Sequence, residues 1–269
     1  FNKQQIHTST WVVPMLFKRF GTGHKDIIYD IAYDFYGNRI ATCSADQTIK
    51  IWDKKLVNGE ESWENTSVWK AHTGPIWKVT WAHPEFGQLI ASCSSDKNIY
   101  IWEEQEGSNG KKTWQKVASL QDCRKAVHGI KFAPRHLGLR LASCSGDDIV
   151  RIYEAINISK LSQWSLTAEF ERQKEGVKCL TWNKSPFDKP IIATGSGTII
   201  KIWEYNSTQK KWVIVETLNG HTDVIHDIDW APDLGRSYHL LATASKDKKV
   251  KIWEIRAHKD KPGKLQGKE

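Results

Sequence analysis

No stretch of this 269-residue chain stays apolar long enough to cross a membrane as a helix. Such a span needs about 20 apolar residues. The longest apolar run, near Trp11 and Phe17, is far shorter and is interrupted by Pro14. That run also lacks the small-residue cleavage site of a secretory leader. Cysteine is sparse: five residues, an odd number with no C-x-x-C pair, which suits a reducing compartment better than a disulfide framework. Four N-x-S/T triplets, at Asn65, Asn157, Asn183 and Asn206, are weighed against that and read as chance. Methionine occurs once, and no segment carries the apolar period of a helix. Extended disorder is excluded by the 39% of hydrophobic residues, which with glycine added approaches the ~45–50% of ordinary globular domains. The chain begins with Phe1 rather than Met, so a processed or trimmed chain is expected.

What the sequence has in excess is tryptophan, 14 residues of it, and their positions explain the number. Five segments line up: ATCSADQTIKIWD (41–53), ASCSSDKNIYIWE (91–103), ASCSGDDIVRIYE (142–154), ATGSGTIIKIWE (193–204) and ATASKDKKVKIWE (242–254). Their aromatics, Trp52, Trp102, Tyr153, Trp203 and Trp253, recur at steps of 50 or 51 residues. A second series (Tyr33, Trp81, Phe132, Trp182, Trp230) precedes each, and a third (Trp63, Trp114, Trp164, Trp212) lies between repeats, with Trp11 as an earlier member. Within each unit IKIW and VRIY alternate apolar and polar, the mark of a half-buried strand. RIATCS and LIASCS read as a more buried strand, joined to the first by tight turns such as Ala45–Asp46 and Lys246–Asp247. With an inner strand upstream and an outer one downstream, each unit has four strands, and four-stranded units in series make a β-propeller.

The pattern GH…(S/T)-x-S-x-D…IW(D/E) resembles the WD40 repeat. By that resemblance His24, Thr42 or Ser44, Asp46 and Trp52 form a hydrogen-bonded structural tetrad in the first unit. Ser44 is taken as its hydroxyl. His72, Asp96 and Trp102 do so in the second, and His221, Asp247 and Trp253 in the fifth. The third unit keeps Asp147 but has Tyr153 for Trp and no GH; the fourth lacks both His and turn Asp and is one residue shorter. Those two are expected to be less rigid or to be held by something else. The expected organisation is an N-terminal strand or extension (1–23), a propeller (24–255; repeats 24–69, 70–122, 123–172, 173–217 and 218–255) and a polar basic tail or loop (256–269).

Longer segments, notably HKDIIYDIAYDFYGNRIATCSADQTIKIWD, KFAPRHLGLRLASCSGDDIVRIYEA and ISKLSQWSLTAEF, resemble the Seh-type WD40 nucleoporin family, sister to the WD40 subunit of the COPII outer coat. HLGLRLA and LSQWSL in the third unit favour the nucleoporin side. The resemblance covers roughly 24–255. It implies an all-β WD40 propeller, open and six-bladed, with the last blade missing here and the ring completed by strands inserted from a partner. It implies a non-enzymatic scaffold of the Y-shaped outer-ring subcomplex of the nuclear pore. The partners would be an α-helical nucleoporin that donates a blade, with other Y-complex nucleoporins around it. The place would be the nuclear envelope. A second role is implied in an amino-acid-responsive, coat-like complex that regulates TOR at the vacuolar or lysosomal surface. Two departures stand out: no sixth repeat follows the fifth, and the fourth unit has only 195–198 where the family carries a longer loop. A trimmed chain explains both. A true five-repeat protein is the other reading, closed by Trp11–Phe17 pairing as the outer strand of the last blade. The alternatives in function are a COPII coat subunit and a WD40 substrate receptor or regulatory module.

No residue set reads as a catalytic, cofactor or metal site. His24, Ser44 and Asp46 contain the groups of a hydrolase triad, yet the set recurs at His72 and His221, and a fold-holding network is needed in every blade whereas an active site is needed once. Cys43, Cys93 and Cys144 occupy one small, buried position in successive repeats, and Cys123 and Cys179 show no ligand spacing. GSNGK (107–111) is too short for a phosphate loop and has no helix after it. FKRFG (17–21) lies outside the repeat position of phosphoinositide-binding arginine pairs. IWEIR (252–256) only approximates the WDxR pattern of ubiquitin-ligase receptors. The net charge of +8 is basic, but part of it sits in 256–269 and the aromatics are committed to blade packing, so direct nucleic-acid binding is not expected, nor membrane insertion. The partner-binding edges fall to the first and last blades, with no contact residues assigned.

Overall fold

A computed structural model describes residues 20–257 and 265–268 apart from 58, 108, 109, 159, 174 and 233. The described chain forms five antiparallel four-stranded sheets in sequence order. Blade 1 holds β1 (Ile28–Tyr33), β2 (Arg39–Ser44), β3 (Thr48–Val57) and β4 (Glu60–Lys70). Blade 2 holds β5 (Ile76–Trp81), β6 (Leu89–Ser94), β7 (Ile99–Glu106) and β8 (Lys112–Leu120). In blade 3 the strands are β9 (Val127–Phe132), β10 (Arg140–Ser145), β11 (Val150–Ala155) and β12 (Trp164–Glu169). Blade 4 has β13 (Val177–Trp182), β14 (Ile191–Ser196), β15 (Ile199–Asn206) and β16 (Lys211–Asn219), and blade 5 has β17 (Ile225–Trp230), β18 (His239–Ser245), β19 (Val250–Ala257) and β20 (Leu265–Lys268). Single 3-10 turns at Pro84–Phe86 and Arg135–Leu137 are the helical elements among the described residues. The fold is an all-β propeller of four-stranded blades left open on one side.

Sequence pattern sets the layering. In blades 1–4 the second strand is flanked on both edges and packed on both faces, so LIASCS and IIATGS are buried throughout, whereas β18 of blade 5, with one face uncovered, is only partly buried. The third strand alternates: Ile49 and Ile51 turn toward blade 2, while Trp52 turns the other way. The turn between these strands needs a residue with positive φ, and Gln47, Lys97, Asp148, Gly197 and Lys248 supply it at the same place in all five blades. Blade 4 uses the residue type that takes this conformation without strain.

Four apolar cores lie between successive blades, each built the same way. Ala41, Cys43, Ile49 and Ile51 of blade 1 meet Val79, Ile90 and Trp102 of blade 2. Equivalent residues join blades 2 and 3, 3 and 4, and 4 and 5. Hydrogen bonds cross the same seams: the Trp81 indole N–H donates to the Ala32 carbonyl at 3.0 Å and that of Trp182 to the Lys131 carbonyl at 3.1 Å. Arg39 adds a bidentate grip on Glu104 at 2.8 and 2.7 Å while it also donates to Asp53 of its own blade. The five inner strands border one axial cavity of 390 Å³. No core of this kind joins blade 5 back to blade 1 among the described residues.

One boundary needs correction. The segment 256–269, expected as a polar tail or loop, supplies β20, which pairs with β19 from Glu254↔Lys268 to Ala257↔Leu265. Gly267 lets β20 lie close to β16, since a Cβ there would push aside the end of the Leu218 side chain. β4 also runs to Lys70 and β16 to Asn219, slightly past the expected repeat ends. The Trp11–Phe17 strand and most of the 1–23 extension lie outside the described residues, as do Phe17, Lys18 and Arg19 of FKRFG.

Candidate partner-binding edges and the polar tetrads

In blade 2, His72 Nδ1 lies 2.9 Å from Asp96 Oδ2, His72 Nε2 lies 2.8 Å from Ser92 Oγ, and the Trp102 indole N–H donates to the same oxygen at 2.9 Å. Indole can only donate and carboxylate can only accept. With a neutral ring the chain therefore runs one way: Nδ1–H to Asp96, the Ser92 hydroxyl to Nε2, and the indole N–H to the hydroxyl oxygen. Burial disfavours the Asp96 charge, but donors from His72, the Thr73 N–H and the Asn98 N–H outweigh it and hold the carboxyl well below the usual range. Blade 5 repeats this with His221, Asp247, Thr243 and Trp253 at 2.7–2.9 Å.

Blade 1 repeats it with a different hydroxyl from the one expected. Thr42 Oγ1 lies 2.9 Å from His24 Nε2 and accepts from Trp52 at 3.1 Å, while His24 Nδ1 lies 2.9 Å from Asp46. Ser44 instead donates to the Asp26 carbonyl and accepts from the Asp46 N–H, so it shapes the turn and stays outside the tetrad. The register explains this. Trp52 faces Ile40, and Thr42 is the next residue along on the same face, within reach of the indole, whereas Ser44 lies a further step away. Thr42, Ser92 and Thr243 are essentially inaccessible to solvent, which leaves a substrate no approach to their hydroxyls.

Blade 3 is held by other chemistry. Cys123 stands at the His position, and Arg151 of β11 reaches back to Asp147 at 2.9 Å and to Glu169 at 2.8 Å. Burial works against the Asp147 charge, yet Arg151 and Ser145 bring its carboxyl down to about 2. Ser143, at the place of Ser92, is buried with no hydrogen-bond partner. In blade 4 the Trp203 indole donates to Thr194 at 3.0 Å, and the buried Gln173 amide finds no partner. All five cysteines are buried and free, and burial pushes thiol pKa values up, that of Cys179 to about 12. Among the described residues no three His, Cys, Asp or Glu side chains stand together as a metal site. The hairpin at 107–111 closes on itself through Gly107 and Lys111, with 108 and 109 undescribed, and IWEIR lies within β19.

The two ends of the arc differ from its interior. Val250 and Ile252 of β19 are 70% and 51% exposed, whereas their counterparts in blades 1–4, from Ile49 and Ile51 to Ile200 and Ile202, are 0–2% exposed. On the opposite end Ile31 is 57% and Tyr33 59% exposed, while Val79, Ile130, Leu180 and Ile228 are buried. Phe20 covers Trp52 there, ring to ring at 5.0 Å. These surfaces are the forward face of blade 5 and the rear face of blade 1. The sequence expectation placed partner contact at the edges of the first and last blades without assigning contact residues, and Tyr33 entered it only as a member of an aromatic series. The signal was present: each stands at a repeat position that is apolar in every blade.

The WD domain, G-beta repeat family matches residues 17–53, 63–103 and 212–254. Nucleoporin SEH1 of Xenopus tropicalis is 47% identical over 241 residues, 84% of this chain and 66% of its own length. The human Nucleoporin SEH1 shows the same figures, and that of Danio rerio is 46% identical over 253 residues, 88% of this chain and 68% of its own. The matched stretch thus spans about two-thirds of these relatives.

Proposed function

Because this chain belongs to the SEH1 family of WD40 nucleoporins, we propose that it is a non-enzymatic scaffold subunit of the outer-ring, Y-shaped subcomplex of the nuclear pore, and that it takes up a β-blade from an α-helical nucleoporin. The observation that carries the reading is the pair of uncovered faces at the ends of the arc, Val250 and Ile252 on blade 5 and Ile31 and Tyr33 on blade 1. Full burial of a Val, Ile or Phe side chain is worth about 1.5–3 kcal/mol, so a blade packed against either face gains several kcal/mol from these residues. A four-stranded sheet is the shape each interior seam already accepts. In the arrangement the resemblance implies, a sixth repeat follows blade 5 and the donated blade closes against blade 1, with backbone pairing supplied as in strand addition. Other Y-complex nucleoporins would then reach this subunit through the helical partner. A second role in the coat-like TOR-regulating complex rests on the same uncovered faces, which any partner with a spare blade would fit.

Mixing the chain with a purified helical outer-ring nucleoporin tests the proposal. At partner concentrations near 100 Kd the expected rise in melting temperature is about 5–10 °C, following from about 2.7 kcal/mol of linkage, with hydrogen-exchange protection appearing in β1. A lone chain that is monomeric, melts cooperatively and is unmoved by the partner overturns it.

A further inference from the structure

We infer that a cavity at the end of the axis where the inner strands finish is a docking site for an acidic peptide segment carrying one aromatic or large aliphatic anchor. The cavity has a volume of 260 Å³ and is bounded by blades 1–4. That is just under the about 300–1,000 Å³ of small-molecule sites, and it suits a single side chain. Its apolar wall is Trp81, Phe132 and the ring of Phe35, which is 64% exposed at the β1–β2 turn and packs on His83 at 4.6 Å. Its charged wall is Lys131, Arg135 and Lys184, with no carboxylate among the lining residues. Lys184 is engaged by Asp229 and the Trp230 carbonyl. Lys131 and Arg135 are exposed and form no ion pair with a described residue, so two cations remain to receive an incoming anion.

Charge selects the occupant. An apolar slot flanked by two uncommitted cations complements an apolar side chain with Asp or Glu beside it. A nucleic-acid strand is the poorer fit. It needs a basic groove with successive open ring faces, whereas the Trp81 and Trp182 indoles are committed to seams between blades.

The test selects short random peptides displayed on phage against the full chain, with counter-selection on a Lys131→Glu/Arg135→Glu variant. Expected sequences carry Phe, Trp, Tyr, Leu or Met beside two or more acidic residues. The synthetic consensus should lose about tenfold or more in affinity, a 1.4 kcal/mol effect, for the double variant and for Phe35→Ala. Both substituted cations are exposed, so the melting temperature should hold; if it falls, Arg135→Gln carries the same test. Basic or uncharged consensus sequences, binders indifferent to these variants, no binder, or tighter binding of oligothymidine each overturns the inference. Val250→Asp should leave this binding intact while it disrupts the end face of blade 5, so this inference and the scaffold proposal fail separately.

Discussion

Blades 2 and 3 face one problem with different residues. Both must hold a buried turn carboxylate, Asp96 or Asp147, and tie it to the third strand. Blade 2 uses a relay of hydrogen-bonded side chains that starts at His72 in the loop before the blade and ends on the Trp102 indole. Blade 3 has lost both ends of that relay, to Cys123 and Tyr153, and a cation comes from within the blade instead: Arg151, four residues on from Asp147. The turn charge is what both designs retain, because the backbone N–H groups of the loop and turn converge on it, Thr73 and Asn98 in blade 2 and Arg124 and Ile149 in blade 3. The donor that balances it is exchangeable.

The sharpest way to break the comparison is Arg151→Met. It leaves Asp147 buried without its counter-charge, and removing one partner of such a pair costs about 3–5 kcal/mol, measurable by urea unfolding at neutral pH. The loss should shrink in acid. In the parent, the Asp147 carboxyl is lowered from 3.8 to about 2, so its stabilisation is complete above about pH 4 and is lost as pH falls through about 2. Without Arg151 the carboxyl protonates at higher pH, and the two proteins should converge on acidification. His72→Ala is the blade 2 counterpart. It removes one donor to Asp96, which keeps its backbone donors, so about 1–3 kcal/mol is expected. The smallest pair sharpens the contrast: Ser92→Ala should cost about 1 kcal/mol because it takes the acceptor from Trp102 and the donor from His72. Ser143→Ala, at the same place in blade 3, should be neutral or slightly stabilising, because that hydroxyl is already unpartnered. Equal costs for the two would show that the blades are held alike.

Much of this architecture was legible in the sequence, since a repeat of about 50 residues reports the same strand, turn and tetrad several times over. Three features escaped for local reasons. Thr42 and Ser44 lie on one face of β2, so composition could not choose between them; pairing register did. Leu265–Lys268 has no alternating apolar pattern, and it becomes a strand because β19 offers an open edge and Leu218 a surface on which Gly267 fits. Arg151 reads in VRIY as an ordinary outward-facing strand residue, and only the absence of a histidine upstream hinted that its charge had another use. The pocket residues Phe35 and Arg135 sit in turns, where the repeat pattern is weakest.

Every seam joins a forward face of one kind to a rear face of the other, and the sense never reverses from blade 1 to blade 5. The free forward face of one molecule is therefore complementary to the free rear face of another. Such a head-to-tail contact need not close after two copies and can extend indefinitely, as open heterologous contacts do. In the proposed arrangement, closing the ring with further blades would also cover the two faces through which copies of this chain could join.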